Sequence, residues 1–251
     1  MENNKDYSRL KFNVPEEFAT TTIAIQQQSS HATQAKIEVS ENELNSNNLK
    51  ERELVKLLEK QLRYKFKNIF IHKNPVQSTT AKRYLDENLG FIPSLQPEID
   101  MIFVENTGMV NAIEVKLIKL KDIGQRARYY KGLEQSIALL RYGFDHVGLW
   151  NIFTSDIPID KINEYGAQTC DFLRDKLKIP LDFTYFRLIQ EKKDFKFQIL
   201  QPTSNNTGFI LSKLLDDPQF KIEWRYGNPL LNTPIVKTLR ASLNSYIKFE
   251  Q

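Results

Sequence analysis

The twenty residues from Pro97 to Lys116, PEIDMIFVENTGMVNAIEVK, decide the fold. Two apolar runs flank Asn106-Thr107-Gly108, and each run holds one acid, Asp100 or Glu114, among Ile, Met, Val and Phe. The NTG triplet predicts a three-residue hairpin loop, a type I turn closed by Gly108 at positive φ. Glu105 then faces Met109. Counting outward pairs Val104 with Val110, Ile102 with Ala112, and Asp100 with Glu114. Two carboxylates opposed on one face, with Cα atoms about 4.5–5.5 Å apart, repel one another. Apolar neighbours give little screening. A divalent cation between them removes the conflict, and carboxylates are the hard ligands that Mg²⁺ prefers. Strand periodicity puts Lys116 on the same face as Glu114, while Ile113, Val115 and Leu117 turn to the other. The competing reading is a plain ion pair, because the same register sets Glu98 opposite Lys116.

A third acid stands upstream. LKERELVKLLEKQLRYKF, residues 49–66, has helical apolar spacing and no Gly or Pro. Glu51, Val55, Leu58 and Leu62 fall on one stripe, so Glu51 lies at the edge of the core-facing side, with Glu53 turned nearly opposite. The alternative for Glu51 is a capping box with Asn48, its carboxylate bonding back to the helix start.

Around these residues the chain reads as α/β. Strands are expected at 69–72, 146–153, 183–189 and 195–200, with helices at about 80–89, 122–142 and 162–177 and in the stretch TPIVKTLRASLNSYI. A mixed central sheet flanked by helices follows. Residues 1–48 form a polar arm with a candidate β-hairpin, 49–200 the core, and 201–251 an extension packed on it. The 251 residues are 41% hydrophobic and 26% charged with net charge +4, as in a water-exposed globular chain. No apolar run approaches the roughly 18 residues of a membrane helix, and MENNKDYSRLKF has no apolar signal region, so a cytoplasmic setting is expected. The single cysteine, Cys170, excludes an internal disulfide and a Cys-based zinc cluster; it reads as a small buried hydrophobe. His31, His72 and His146 are isolated in sequence and read as satisfied or surface side chains.

Positive charge concentrates just after the second acid. Lys116, Lys119, Lys121, Arg126, Arg128 and Lys131 lie within sixteen residues with Asp122 as the only acid. On a helix starting near 122, Arg128, Lys131, Gln135 and Tyr142 share a face, and Tyr130, Leu133 and Ile137 form the opposite core stripe. Such a basic face attracts a phosphate backbone; the plainer reading is a solvated helix face.

Glu51, Asp100 and Glu114-x-Lys116 together resemble the PD-(D/E)xK, or restriction-endonuclease-like, nuclease superfamily. The string KERELVKLLEK is also similar to the first helix of archaeal Holliday-junction resolvases. The resemblance covers roughly residues 49–153 and departs from the family name in carrying Glu98-Ile99-Asp100. It implies a restriction-endonuclease-like core and a Mg²⁺-dependent phosphodiesterase, with Mn²⁺ as a substitute. Asp100 and Glu114 would hold the metal, with the Val115 carbonyl and Glu51 as further ligands. Lys116 would orient or deprotonate the attacking water, or stabilise the transition state. Members often carry Gln, and Tyr, on the helix after the lysine strand. Gln135 and Tyr142 match that feature, with Gln125 and Tyr129 as rivals. The implied partner is DNA, and a homodimer would suit cutting of both strands. Two other readings follow from the same residues: a non-catalytic DNA-binding or assembly module, and a nuclease directed at RNA.

Overall fold

The computed structural model describes residues 48–66, 68–75, 79–90, 98–123, 131–191, 194–202 and 209–250. Residues 1–47 of the polar arm, where a candidate hairpin was read, Arg126, Arg128 and the Gln125/Tyr129 pair lie outside the described residues.

The element order is α1 (Glu51–Leu62), β1 (Asn68–Lys73), α2 (Thr79–Leu89), β2 (Ile99–Val104), β3 (Val110–Ile118), α3 (Leu133–Leu140), β4 (His146–Phe153), α4 (Ile159–Cys170), β5 (Asp182–Glu191), β6 (Asp194–Pro202), β7 (Phe209–Leu214) and α5 (Pro234–Glu250). Among the described residues the strands form one seven-stranded sheet in sequential order. β3, β4 and β5 are parallel, joined through α3 and α4, and antiparallel pairs extend the sheet on both sides. This is the mixed, helix-flanked sheet that the strand and helix pattern predicts.

The hairpin follows its turn chemistry. Gly108 has φ +84°, its amide donates to the Glu105 carbonyl at 2.9 Å, and Glu105 N donates to Met109 O at 2.9 Å. Val104 pairs with Val110 and Ile102 with Ala112 as expected, and the pairing runs as far as Met101–Ile113, one step short of Asp100 and Glu114. β3 is buried along its whole length. Its Ile113, Val115 and Leu117 pack with Leu54, Val55, Leu58 and Leu62 of α1. Its other face meets a second cluster containing Ala112, Leu139 of α3 and Leu239 of α5.

Three details depart from the sequence reading. Gly132, at φ +84°, breaks the expected 122–142 helix, so α3 begins only at Leu133. A new start shifts the phase: Ser136, Leu139 and Leu140 face inward; of the predicted core stripe Leu133 packs against the second core cluster as expected, whereas Ile137 is 42% exposed. β7, within the stretch read as a C-terminal extension, joins the sheet beside β6. Among the described residues no helix is long and apolar enough to cross a membrane.

Candidate functional site

The site forms where β2 and β3 part. Beyond the Met101–Ile113 pair, the β3 amides that would face β2 find side chains instead. Val115 N donates to Asp100 Oδ2 at 2.8 Å, and Leu117 N donates to Glu51 Oε2 at 3.2 Å. Buried amides need acceptors, and two acids of the proposed set supply them. In a strand the N–H and C=O of one residue leave on the same side, so the Val115 carbonyl faces this fork as well.

Glu51 is placed by α1, whose stripe is anchored in the core. It does not cap its own helix. The N-cap is Lys50, and Glu53 Oε2 accepts the Lys50 amide at 2.8 Å. The helix starts two residues later than Asn48 implied, and the third helical position, where a carboxylate can reach back, is Glu53. Glu51 is thereby free to reach β3.

Lys116 lies between the acids. Its ammonium is 3.0 Å from Glu51 Oε1 and 2.5 Å from Glu114 Oε1, and the residue is only 6% exposed. The competing Glu98–Lys116 bridge is not made; Glu98 stands 3.5 Å from Arg52 and 3.4 Å from His72. β2 begins only at Ile99, so Glu98 has left the register.

Burial dominates the electrostatics. It pushes the Glu114 carboxyl up to about 8, aided by Asp100 and opposed by Lys116. Burial raises Asp100 too, against the pull of the Val115 amide and Lys116. Glu51 feels the same upward push from burial, but Lys116, Lys131 and the Leu117 amide outweigh it and hold it below the usual range. Burial would lower Lys116, yet Glu114 and Glu51 together raise it, so it stays an ammonium.

The Glu114 shift has a consequence for stability. Between the ordinary value of 4.5 and about 8, the folded state holds a proton that the unfolded chain has released. Stability therefore falls as pH rises through that window. Unfolding of the metal-free protein is expected at lower temperature at pH 9 than at pH 5.5. Thermal melts at the two pH values, in EDTA, check the sign.

The donor set suits a hard divalent cation. Glu114 is 1% exposed, and its Oε2 is buried without a hydrogen-bond partner. Asp100 uses Oδ2 for the Val115 amide, and Oδ1 is directed elsewhere, 4.0 Å from the nearest His72 nitrogen. Among the described residues no three His, Cys, Asp or Glu side chains gather as a ready ligand set. Mg²⁺ sites rarely need one: one or two carboxylates with waters and phosphate oxygens suffice.

Gly132 fits against the lysine. A Cβ added there would lie 2.8 Å from Lys116 Cγ and 2.9 Å from Leu149 Cδ1. At φ +84° any L side chain is also strained. Gly132→Ala is expected to cost about 1–3 kcal/mol of stability and to displace the lysine stem. Thermal melts of Gly132→Ala beside wild type read the loss.

The basic residues divide. Lys131 is drawn into the site, 3.4 Å from Glu51 Oε2 and 3.2 Å from the Leu117 carbonyl. Lys119 is pushed below its usual value by burial and by repulsion from Lys121 and Lys131, which marks the three as neighbours. Lys121 is exposed. Gln135 is half-buried on α3. Tyr142 does not lie on a nucleic-acid face. It follows the end of α3, is 5% exposed, and burial pushes its phenol up to about 12. Its aromatic ring belongs to the second core cluster.

His72 is a satisfied histidine, as read, with Nε2 3.3 Å from the Arg52 carbonyl. It stands at the end of β1 with φ +51°, and the pairs Ile71–Met101 and Lys73–Ile99 set it opposite Asp100. Only the β1–β2 register reveals this. His146 is satisfied, as expected: a ring nitrogen donates to the Tyr226 carbonyl at 2.9 Å and the ring stacks on Trp224. Cys170 is buried, and burial raises its thiol.

No protein-family model matches the chain, and no curated protein matches it. A solved structure similar to it is that of Pyrococcus furiosus SfsA in complex with Ca²⁺. The two are 15% identical with a TM-score of 0.31; the match covers 58% of this chain and spans 60% of the length of SfsA. A likeness of that size carries no functional argument.

Proposed function

We propose that this site hydrolyses phosphodiester bonds in nucleic acid with the help of a divalent cation, Mg²⁺ or Mn²⁺, and that the protein is a DNA endonuclease of the PD-(D/E)xK type. One observation carries the reading: a buried Glu114 with an unpartnered oxygen, beside Lys116 and close enough to Asp100 for that acid to raise it. Opposed buried acids weaken a fold, and a cation site gives them a purpose.

Asp100 and Glu114 would hold the ion, with the Val115 carbonyl beside them. When bound, the ion lowers the pKa of a coordinated water and neutralises charge on the scissile phosphate. Lys116 acts as an ammonium. Its raised pKa disfavours a general-base role and favours stabilising charge that develops on the phosphoryl oxygens. Glu51 orients Lys116 and braces the fork through the Leu117 amide. Lys119 and Lys121 add positive potential beside the site, which predicts salt-dependent substrate binding.

The test is a cleavage panel of supercoiled plasmid, linear duplex, single-stranded DNA, a four-way junction and RNA, with Mg²⁺, Mn²⁺ or EDTA. Metal-dependent cutting of DNA supports the reading, and the preferred substrate places it among restriction, defence, repair and junction processing. Preference for RNA would move the substrate class. Tight binding without cutting of any substrate would overturn the enzyme reading in favour of a binding or assembly module.

A further inference from the structure

We infer that a cavity beside the first residues of β5 binds a mononucleotide whose base carries an exocyclic amino group. The cavity measures about 250 Å³, and none of Glu51, Asp100, Glu114 and Lys116 lines it. One wall is β5 at residues 182–185, and the facing wall is drawn from residues 219–226. The β5–β6 pairing reaches only Tyr185–Leu200, which leaves Asp182 to Thr184 without a β6 partner. The facing stretch alternates along its length. Phe220, Ile222 and Trp224 pack on the first core cluster, while Lys221, Glu223 and Arg225 are exposed.

The polar groups of the lining are of two kinds. Asp182 is the buried one, 6% exposed. Its Oδ1 accepts the Arg225 amide at 2.8 Å, and its Oδ2 is buried with no hydrogen bond of normal geometry among the described residues. Burial raises this carboxyl against the pull of the Arg225 and Tyr226 amides. A buried acceptor without a donor costs stability, and a ligand N–H supplies the donor. The exposed kind is cationic: Lys213, Lys221 and Arg225, with Glu223 as the acid among them. Lys221 and Arg225 form no ion pair among the described residues, whereas Arg174, also in the lining, is paired with Asp175. Half-buried Phe183, Phe220 and Tyr226 offer aromatic surface along the same walls. This set selects its ligand. A free amine suits Asp182 but meets three cations, and an inorganic anion suits the cations but meets a carboxylate. A nucleotide satisfies all of them: a flat base on the aromatic rings, a phosphate for the lysines and Arg225, and an amino group for Asp182. Guanine, cytosine and adenine carry that amino group, and carboxylates accept from it. Uracil carries carbonyls on both sides of its N–H, which a carboxylate repels.

The experiment is calorimetric titration of the full chain, in EDTA, with GMP, CMP, AMP and UMP, with cytidine, and with inorganic phosphate. Neither metal nor cleavage enters it, so its result is independent of the proposed nuclease. At least one amino-bearing nucleotide is expected to bind with Kd below about 1 mM, and at least about tenfold more tightly than UMP or phosphate. Asp182→Asn keeps an oxygen for the Arg225 amide and puts an amide donor in place of Oδ2. Its preference should move toward UMP by about tenfold, a change of specificity that loss of structure does not produce. Lys221→Ala alters an exposed side chain. It should weaken CMP about threefold or more and leave cytidine unchanged. Circular dichroism melts check that both variants fold, and Lys221→Ala carries the test if Asp182→Asn does not. No nucleotide bound at about 1 mM, UMP or phosphate bound as tightly as the rest, or a preference unchanged in folded Asp182→Asn would overturn the assignment.

Discussion

Asp100→Asn is expected to abolish metal-dependent cleavage and yet raise the melting temperature of the metal-free protein. Both effects come from one charge. The loss of rate should reach at least about a thousandfold, equivalent to roughly 4 kcal/mol of transition-state stabilisation, because a neutral amide is a poor ligand for a hard cation. The fold loses little. Asn Oδ1 can accept the Val115 amide that Asp100 Oδ2 now accepts. Asp100 is, after burial, the main reason the Glu114 carboxyl is raised. Neutralising it removes the repulsion. The gain should be largest at pH 9, where both carboxyls would otherwise ionise, and small at pH 5.5, where Glu114 already holds a proton. At roughly 2–4 °C per kcal/mol for a chain of this size, differential scanning calorimetry resolves it. Destabilisation at pH 9 would show that Asp100 serves the fold through its charge.

Lys116→Met is expected to separate binding from chemistry. Methionine fills much of the buried stem volume against Gly132 without the charge. Glu51 and Glu114 then lose their shared ammonium, and Lys131 still faces Glu51. The ammonium competes with a cation for Glu114, so the variant should bind Mn²⁺ at least as tightly as wild type. Cleavage should nevertheless fall about 10²–10³-fold, the usual loss when one charge-stabilising donor is removed. Parallel titration and single-turnover kinetics read the two effects. Loss of metal binding with loss of cleavage would mean that the lysine holds the site together and takes no part in the chemistry.

The hairpin was legible because its turn is short. Asn106-Thr107-Gly108 admits few closures, and a three-residue loop fixes every pair outward to Asp100 and Glu114. The α1 stripe was legible because no Gly or Pro interrupts it. Other features were set by long-range contacts. His72 reaches Asp100 through a register between β1 and β2, and their connection, residues 74–98, is too long for local rules to fix. Gly132 takes φ +84° and interrupts the helix expected from 122, and its close approach to Lys116 is a contact unknown before the fold. The N-cap moved from Asn48 to Lys50 because Leu49 is drawn fully into the core and delays the helix start. Tyr142 reads as exposed only on a helix that continues past Leu140.

The most direct test of the central claim compares wild type and Glu114→Gln, purified side by side, for cleavage of supercoiled plasmid in Mg²⁺ and in EDTA. The paired preparation removes contaminating nuclease from the interpretation. Cutting by wild type that needs the metal, and falls at least about a thousandfold in the variant, is the predicted result. Equal cutting by both proteins, or cutting by wild type that persists in EDTA, would contradict it.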